Sequence, residues 1–177
     1  MSALIASHTL FGVFALAAGA AVLFRPKATT LHRRLGYAYV IALSVLCVES
    51  FWIRDSTPFF RGFGMFHVFA VVSLVTVLVG LVPARRRRPG WFEWHYATMA
   101  WSYIGLVMAT GSHFFRPVFL FLFRDVGLSA LASQVLTGAL MWALPPLVGV
   151  LVLRRYERSF RRQAAPVIGV EEHSATA

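Results

Sequence analysis

Four histidines lie near the beginnings of four consecutive apolar segments of the chain: His8, His32, His67 and His95. If the segments form two helical hairpins that stack in parallel in a membrane, His8 meets His67 near the outer surface and His32 meets His95 near the inner one. Two imidazoles complete the axial ligands of a haem iron, whereas a structural zinc site needs four ligands. The spacing therefore predicts two bis-histidine b-type haem sites, or less readily two sites for a bare metal ion.

The apolar segments are long enough to cross a membrane. Of the 177 residues, 58% are hydrophobic, above the roughly 45–50% of soluble domains. A spanning helix needs about 20 apolar residues. This length predicts an all-α integral membrane protein with five transmembrane helices, of which four form a bundle from two repeated hairpins. The expected helices are about 4–24, 35–53, 63–83, 92–112 and 128–153, in a single domain over 1–162 that precedes a disordered cytoplasmic tail over 163–177.

Two features near the fifth helix predict local irregularity. The apolar run from Val118 to Phe123 is too short to span a bilayer and is expected to lie along its surface. Pro145 and Pro146 lie inside the fifth helix and are expected to kink it.

The net charge of +10 is explained by topology and gives no indication of nucleic-acid binding. Thirteen of the 17 basic residues fall in the first and third connections and after the fifth helix. Because basic residues stay on the cytoplasmic side, the N-terminus is expected outside and the C-terminus inside. The lipid bilayer is the predicted partner, and the single lysine among sixteen arginines favours a bacterial cytoplasmic membrane.

Small and cationic residues accompany the histidines. Gly12 follows His8 by four residues and Gly36 follows His32 by four, so each leaves space for a flat ring one turn from a predicted ligand. Arg33 and Arg34 are expected to bind haem propionates.

Two further ionisable residues lie near the expected outer surface. His113 is a fifth candidate ligand, a proton-handling group or a plain interfacial side chain. Glu49 lies inside the second helix, one turn from Arg54. The sequence favours an ion pair between Glu49 and Arg54, with a proton-relay role as the alternative.

Three segments carry a resemblance: LHRRLGYAYV, GMFHVFAVVSLVTV and EWHYATMAWSYIGLVMA. Over about residues 8–116 they resemble a bacterial family of predicted multi-pass membrane proteins of unknown function, with HRRLG as the most specific motif. In plan the helices and histidines are similar to the di-haem transmembrane cytochromes b. That resemblance implies electron transfer across a bilayer, although the chain lacks their leading extra helix and holds its histidines nearer the membrane edges.

The predicted function is therefore a b-type haem electron carrier. One alternative is a non-catalytic accessory membrane protein whose histidines line a polar cavity. Another is a small metal-ion or proton transporter that uses the same histidines with Glu49, for which a homodimer is expected. The sequence has no nucleophile paired with a base, no phosphate loop and no metalloprotease motif, so a hydrolase or transferase is not expected. No motif identifies a redox partner or a substrate.

Overall fold

A computed structural model describes residues 2–27, 29–54, 60–86 and 90–155. Over these residues the chain is helical, apart from connections and one isolated bridge between Phe60 and Phe63. The predicted tail over 163–177 lies outside the described residues. The six helices are α1 (Ala3–Phe24), α2 (Thr30–Ser50), α3 (Met65–Arg86), α4 (Trp91–Ser112), α5 (Phe115–Leu120) and α6 (Ala130–Arg155).

Side-chain caps set the beginnings of several helices. The Ser2 hydroxyl accepts the N–H of Ile5 at the start of α1, and Thr29 accepts the N–H of His32 at the start of α2. The Thr29 cap places the beginning of α2 at Thr30, earlier than the predicted residue 35. His32 therefore lies in the first turn of α2, at the start of the second helix as the sequence predicted.

Two helices contain prolines. Helix α3 continues through Pro83 to Arg86, beyond the predicted end. In α6 a π-helical stretch, Ala139–Ala143, lies just before the prolines at which a kink was predicted, and Ala130–Arg155 is a single candidate span. Pro145 and Pro146 have no N–H to donate to the preceding turn, and the helix widens just before them.

Four helices are individually long and apolar enough to span a membrane: α1, α2, α3 and α6. Helix α4 qualifies together with its continuation through α5 to Asp125, from which it is bent by 54°. The run from Val118 to Phe123 is helical within this bent continuation. The described residues thus confirm an all-α integral membrane protein with four to five candidate spans.

The first four helices form a ring. The hairpin partners α1 with α2 and α3 with α4 pack most extensively, and the α2–α3 and α1–α4 contacts close the ring. Helices α2 and α4 therefore lie diagonally opposite and run in the same direction. We call the end that holds the starts of α2 and α4 the basic end, because Arg25, Lys27, Arg33 and Arg34 lie there, and the opposite end the N-terminal end.

A buried cluster of two tyrosines and a serine joins three of these helices. The Tyr39 hydroxyl of α2 and the Ser102 hydroxyl of α4 are 2.9 Å apart, and Tyr39 is only 3% exposed. The Tyr103 hydroxyl donates to the Leu16 carbonyl of α1 at 3.2 Å. The two tyrosine rings meet edge to face with centroids 6.2 Å apart. We call Tyr39, Ser102 and Tyr103 the tyrosine junction.

Replacement of Gly19 is expected to disrupt this junction. A Cβ atom at Gly19 would collide with the Tyr103 ring and touch that of Tyr39, so Gly19→Val should destabilise the bundle by about 1–3 kcal/mol. Gly138→Ala is the matched control, because a Cβ there meets nothing within 4 Å. Thermal unfolding in detergent should show a lowered Tm for Gly19→Val only; equal Tm values for the two variants would contradict this packing.

Candidate functional site

At the basic end, the tyrosine junction sets the relative height of two histidines. His32 lies seven residues before Tyr39, and His95 lies seven residues before Ser102. Because α2 and α4 are parallel, both imidazoles lie at the same level, about 10 Å along the axis from the junction. His32 is within electrostatic range of His95. The structure therefore places both histidines of the predicted inner pair at the same end and the same level of the bundle.

The hydrogen bond of His95 defines its tautomer. Its Nδ1 lies 3.1 Å from the Gly80 carbonyl of α3. A carbonyl only accepts, so Nδ1 carries the hydrogen and Nε2 keeps a lone pair. This contact requires a close approach of the two helices: a Cβ on Gly80 would collide with Thr98 and Met99 of α4.

In His32 the two ring nitrogens have the reverse roles of those in His95. Its Nδ1 is buried without a hydrogen-bond partner, so its hydrogen bond to the Val22 carbonyl of α1 comes from Nε2. One turn along α2, a Cβ at Gly36 meets nothing within 4 Å. The space that the sequence predicted beside His32 is therefore present.

Lys27 is a residue of this end that sequence reasoning missed. Its Nζ donates to the carbonyls of Val22 and Leu23, at 3.0 and 2.8 Å, and so caps the C-terminus of α1. It is also within electrostatic range of His32, and burial lowers the pKa of its ammonium group. Its position three residues after α1, as the only lysine of the chain, was the available signal.

At the N-terminal end, His8 associates with Glu49 and His113. It interacts electrostatically with both, and its ring forms a hydrogen bond to the Leu46 carbonyl of α2. The Ser7 hydroxyl, whose role the sequence did not suggest, donates to Glu49 Oε1 at 2.6 Å.

The predicted ion pair between Glu49 and Arg54 is wrong. Within the described part of the chain, Glu49 Oε2 is buried without a hydrogen-bond partner, while Arg54 is exposed. Helix α2 ends at Ser50, so Arg54 does not lie one helical turn above the carboxylate as the sequence suggested.

His67 lies in an aromatic environment. It is 6% exposed, and its ring centroid is 4.7 Å from that of Phe63 and 6.1 Å from that of Phe51. Its Nδ1 accepts the N–H of Gly64 at 3.0 Å, so in the neutral ring Nε2 carries the hydrogen. These contacts differ from those of His8, and the predicted pairing of His8 with His67 is not among the described side-chain contacts.

Three of the four histidines share one structural role. His8, His32 and His95 each direct a ring nitrogen to a backbone carbonyl of the partner helix in their own hairpin. The repeat seen in the sequence thus corresponds to contacts across each hairpin. One nitrogen of each ring remains available for other chemistry.

Comparison with known proteins agrees with this architecture. Residues 5–152, which include the first four helices and most of α6, match the family described as "Predicted membrane protein (DUF2306)". The chain belongs to this family. Neither a curated protein nor a solved structure matches the chain. Membership in DUF2306 supports a multi-pass membrane protein of unknown function, as the sequence indicated.

A bare metal ion has little support in this DUF2306 chain. Among residues 2–27, 29–54, 60–86 and 90–155, no group of three or more His, Cys, Asp or Glu side chains is placed to hold one. A cavity of about 120 Å³ lies between α3, α4 and α6, and no histidine lines it. Its size is below the roughly 300–1,000 Å³ of small-molecule pockets. Its lining includes Phe69, Thr76, Trp101, Ser102, Met108 and Trp142.

Haem fits the two ends of the bundle differently. At the basic end, His95 has the tautomer of an iron ligand, with Nδ1–H on a carbonyl and a lone pair on Nε2, and Gly36 leaves open space. At the N-terminal end, a Cβ on Gly12 would contact Leu46 at 3.5 Å, so the space beside His8 is smaller than the space beside His32. The residues at the basic end thus fit a haem better than those at the N-terminal end.

Proposed function

We propose that the protein binds one b-type haem at the basic end and exchanges electrons there as an integral membrane protein. The observation that carries the proposal is that His32 and His95 lie at equal height on parallel helices, within electrostatic range of each other, with open space at Gly36. A bis-histidine haem iron supplies reversible one-electron exchange. The proposal reduces the two predicted sites to one.

Each residue at this end has a distinct part. His32 and His95 would supply the axial nitrogens, and the Gly80 carbonyl holds the His95 ring in one orientation. If the haem iron binds His32 through Nε2, that nitrogen must give up its hydrogen bond to the Val22 carbonyl. The Val22 carbonyl would still accept the hydrogen bond from Lys27. That exchange is a local ring movement.

Two exposed arginines extend the site toward the aqueous phase. Arg33 and Arg34 follow His32 directly, in the first turns of α2, and both are exposed. Guanidinium groups bind carboxylates strongly, so these side chains are suited to haem propionates. Because both histidines lie within two turns of their helix starts, electron exchange with a partner at this membrane face is expected.

We infer that the basic end faces the cytoplasm, because positive residues are retained on that side. In a Cys47→Ser background, a cysteine at Ser2 should react with an impermeant maleimide on intact cells. A cysteine at Arg25 should react only after lysis. Both positions are exposed, so equal access to reagent is expected in lysed membranes. The reverse labelling pattern would contradict the inferred orientation.

The haem proposal is tested by visible spectra of detergent-purified protein from haem-replete cells, both oxidised and dithionite-reduced. The wild type should show a Soret band and a reduced α-band. His32→Ala and His95→Ala should lower bound haem at least about tenfold, since a bis-histidine iron loses an axial ligand in each. His67→Ala and His113→Ala are the matched controls and should retain it.

Two results would contradict the haem proposal. A featureless wild-type spectrum would favour an accessory membrane protein without a cofactor. Equal loss of haem in His67→Ala and in His95→Ala, with monodisperse protein in both, would show that haem binding is not confined to the basic end.

A further inference from the structure

The N-terminal end gathers ionisable side chains from three helices, and the proposed haem site does not use them. His8 comes from α1, Glu49 from the last turn of α2 and His113 from the end of α4. His8 interacts electrostatically with both of the others. We call His8, Glu49 and His113 the N-terminal cluster. Ionisable groups inside a membrane bundle are costly, and they commonly mark sites of function.

Two atoms of this cluster are buried acceptors without a donor. Glu49 Oε1 accepts from Ser7, whereas Oε2 is buried and has no hydrogen-bond partner. His8 Nδ1 is likewise buried and without a partner. Because the other nitrogen of His8 donates to the Leu46 carbonyl, Nδ1 holds a lone pair in the neutral ring.

The nature of these atoms defines the chemistry of a ligand. A carboxylate oxygen and an imidazole lone pair both accept hydrogen bonds, and buried polar atoms are nearly always paired. The complementary species is therefore a donor. Uptake of a proton by either atom turns that acceptor into such a donor.

We propose that the N-terminal cluster is a proton-binding site, in which Glu49 and His8 together take up one proton from the aqueous phase. Uptake forms an O–H bond at Glu49 Oε2 or an N–H bond at His8 Nδ1, with a hydronium ion of the solvent as the proton source. No electron is transferred. After uptake, one of the two atoms, Glu49 Oε2 or His8 Nδ1, carries a hydrogen and can donate a hydrogen bond, and the other remains an acceptor.

His113 provides the connection to solvent. It is exposed, it interacts electrostatically with His8, and its ring stacks on Phe66 at 6.0 Å with an interplanar angle of 9°. The stacking orients an imidazole that is both exposed to solvent and within electrostatic range of His8.

The other ionisable side chains near this end are accounted for. His67 on α3 is buried against Phe51 and Phe63, with Nδ1 occupied by the Gly64 N–H. The remaining described charged side chains of this end are all exposed: Arg54, Arg61, Arg116, Arg124 and Asp125. Within the described residues, Glu49 is therefore the carboxylate of this end that has a buried oxygen without a hydrogen-bond partner.

Infrared difference spectroscopy of the full-length protein over a pH titration tests the proposal. The wild type should develop several carboxylic-acid C=O bands as pH falls, and Glu49→Gln should lose one of them, the Glu49 band. Glu93→Gln is the matched control, because Glu93 is an exposed carboxylate in the first turn of α4 at the opposite end. The control should keep the band and its midpoint.

A second variant tests whether the proton is shared. His8→Phe removes the imidazole and retains an aromatic side chain, and it should displace the midpoint of the Glu49 band. An unchanged midpoint in His8→Phe would overturn the shared site, as would a Glu49→Gln spectrum identical to that of the wild type. A midpoint that depends on Na⁺ or Zn²⁺ concentration would identify a cation site instead and would also overturn the proposal.

The outcome is independent of the haem proposal. Glu49→Gln lies at the opposite end of the bundle from His32 and His95, so its visible spectrum should equal that of the wild type. If Glu49→Gln loses both the infrared band and its monodispersity, the variant has misfolded. Glu49→Asp keeps a carboxyl group and should then restore a titrating band. Failure of Glu49→Asp to restore that band would overturn the proposal.

Discussion

The hydrogen bond between Tyr39 and Ser102 is the contact on which the arrangement of the bundle depends. It joins helices that are diagonal in the ring and belong to different hairpins, and both side chains are only 3% exposed. A buried hydroxyl that loses its hydrogen-bond partner destabilises the folded state. The bond therefore fixes the relative height of α2 and α4, and with it the level of His32 and His95. Any chemistry that needs both imidazoles depends on this register.

Packing makes that contact possible. Interhelical hydrogen bonds in membranes contribute only about 0.6 kcal/mol on average, so one bond alone does not define a fold. Because Gly19 has no side chain, the Tyr103 and Tyr39 rings can pack against its backbone. Gly80 likewise leaves space for Thr98 and Met99. Both glycines permit approaches that a single added carbon would prevent. Small residues thus set where helices meet, and the polar contacts then select one register among the possible ones.

Much of this could be predicted from the sequence. Apolar length identified the helices, and the spacing of histidines identified the hairpin repeat, because both depend on periodicity along one chain. The position of Gly36 one turn from His32 likewise follows from helical geometry. What the spacing could not show is which way each ring points. His67 turns its Nδ1 to the Gly64 N–H, and Glu49 turns to Ser7 rather than to Arg54. Those choices depend on helix rotation and on neighbours distant in sequence.

The two ends of the bundle consequently differ in chemistry although their histidines have matching positions in the sequence. The basic end has His32 and His95 at one level with open space at Gly36, whereas at the N-terminal end His8 lies within electrostatic range of Glu49 and His113. Native mass spectrometry of the full-length protein from haem-replete cells tests this asymmetry most directly. The account predicts one non-covalently bound haem per chain. Two haems per chain, or none, would contradict it.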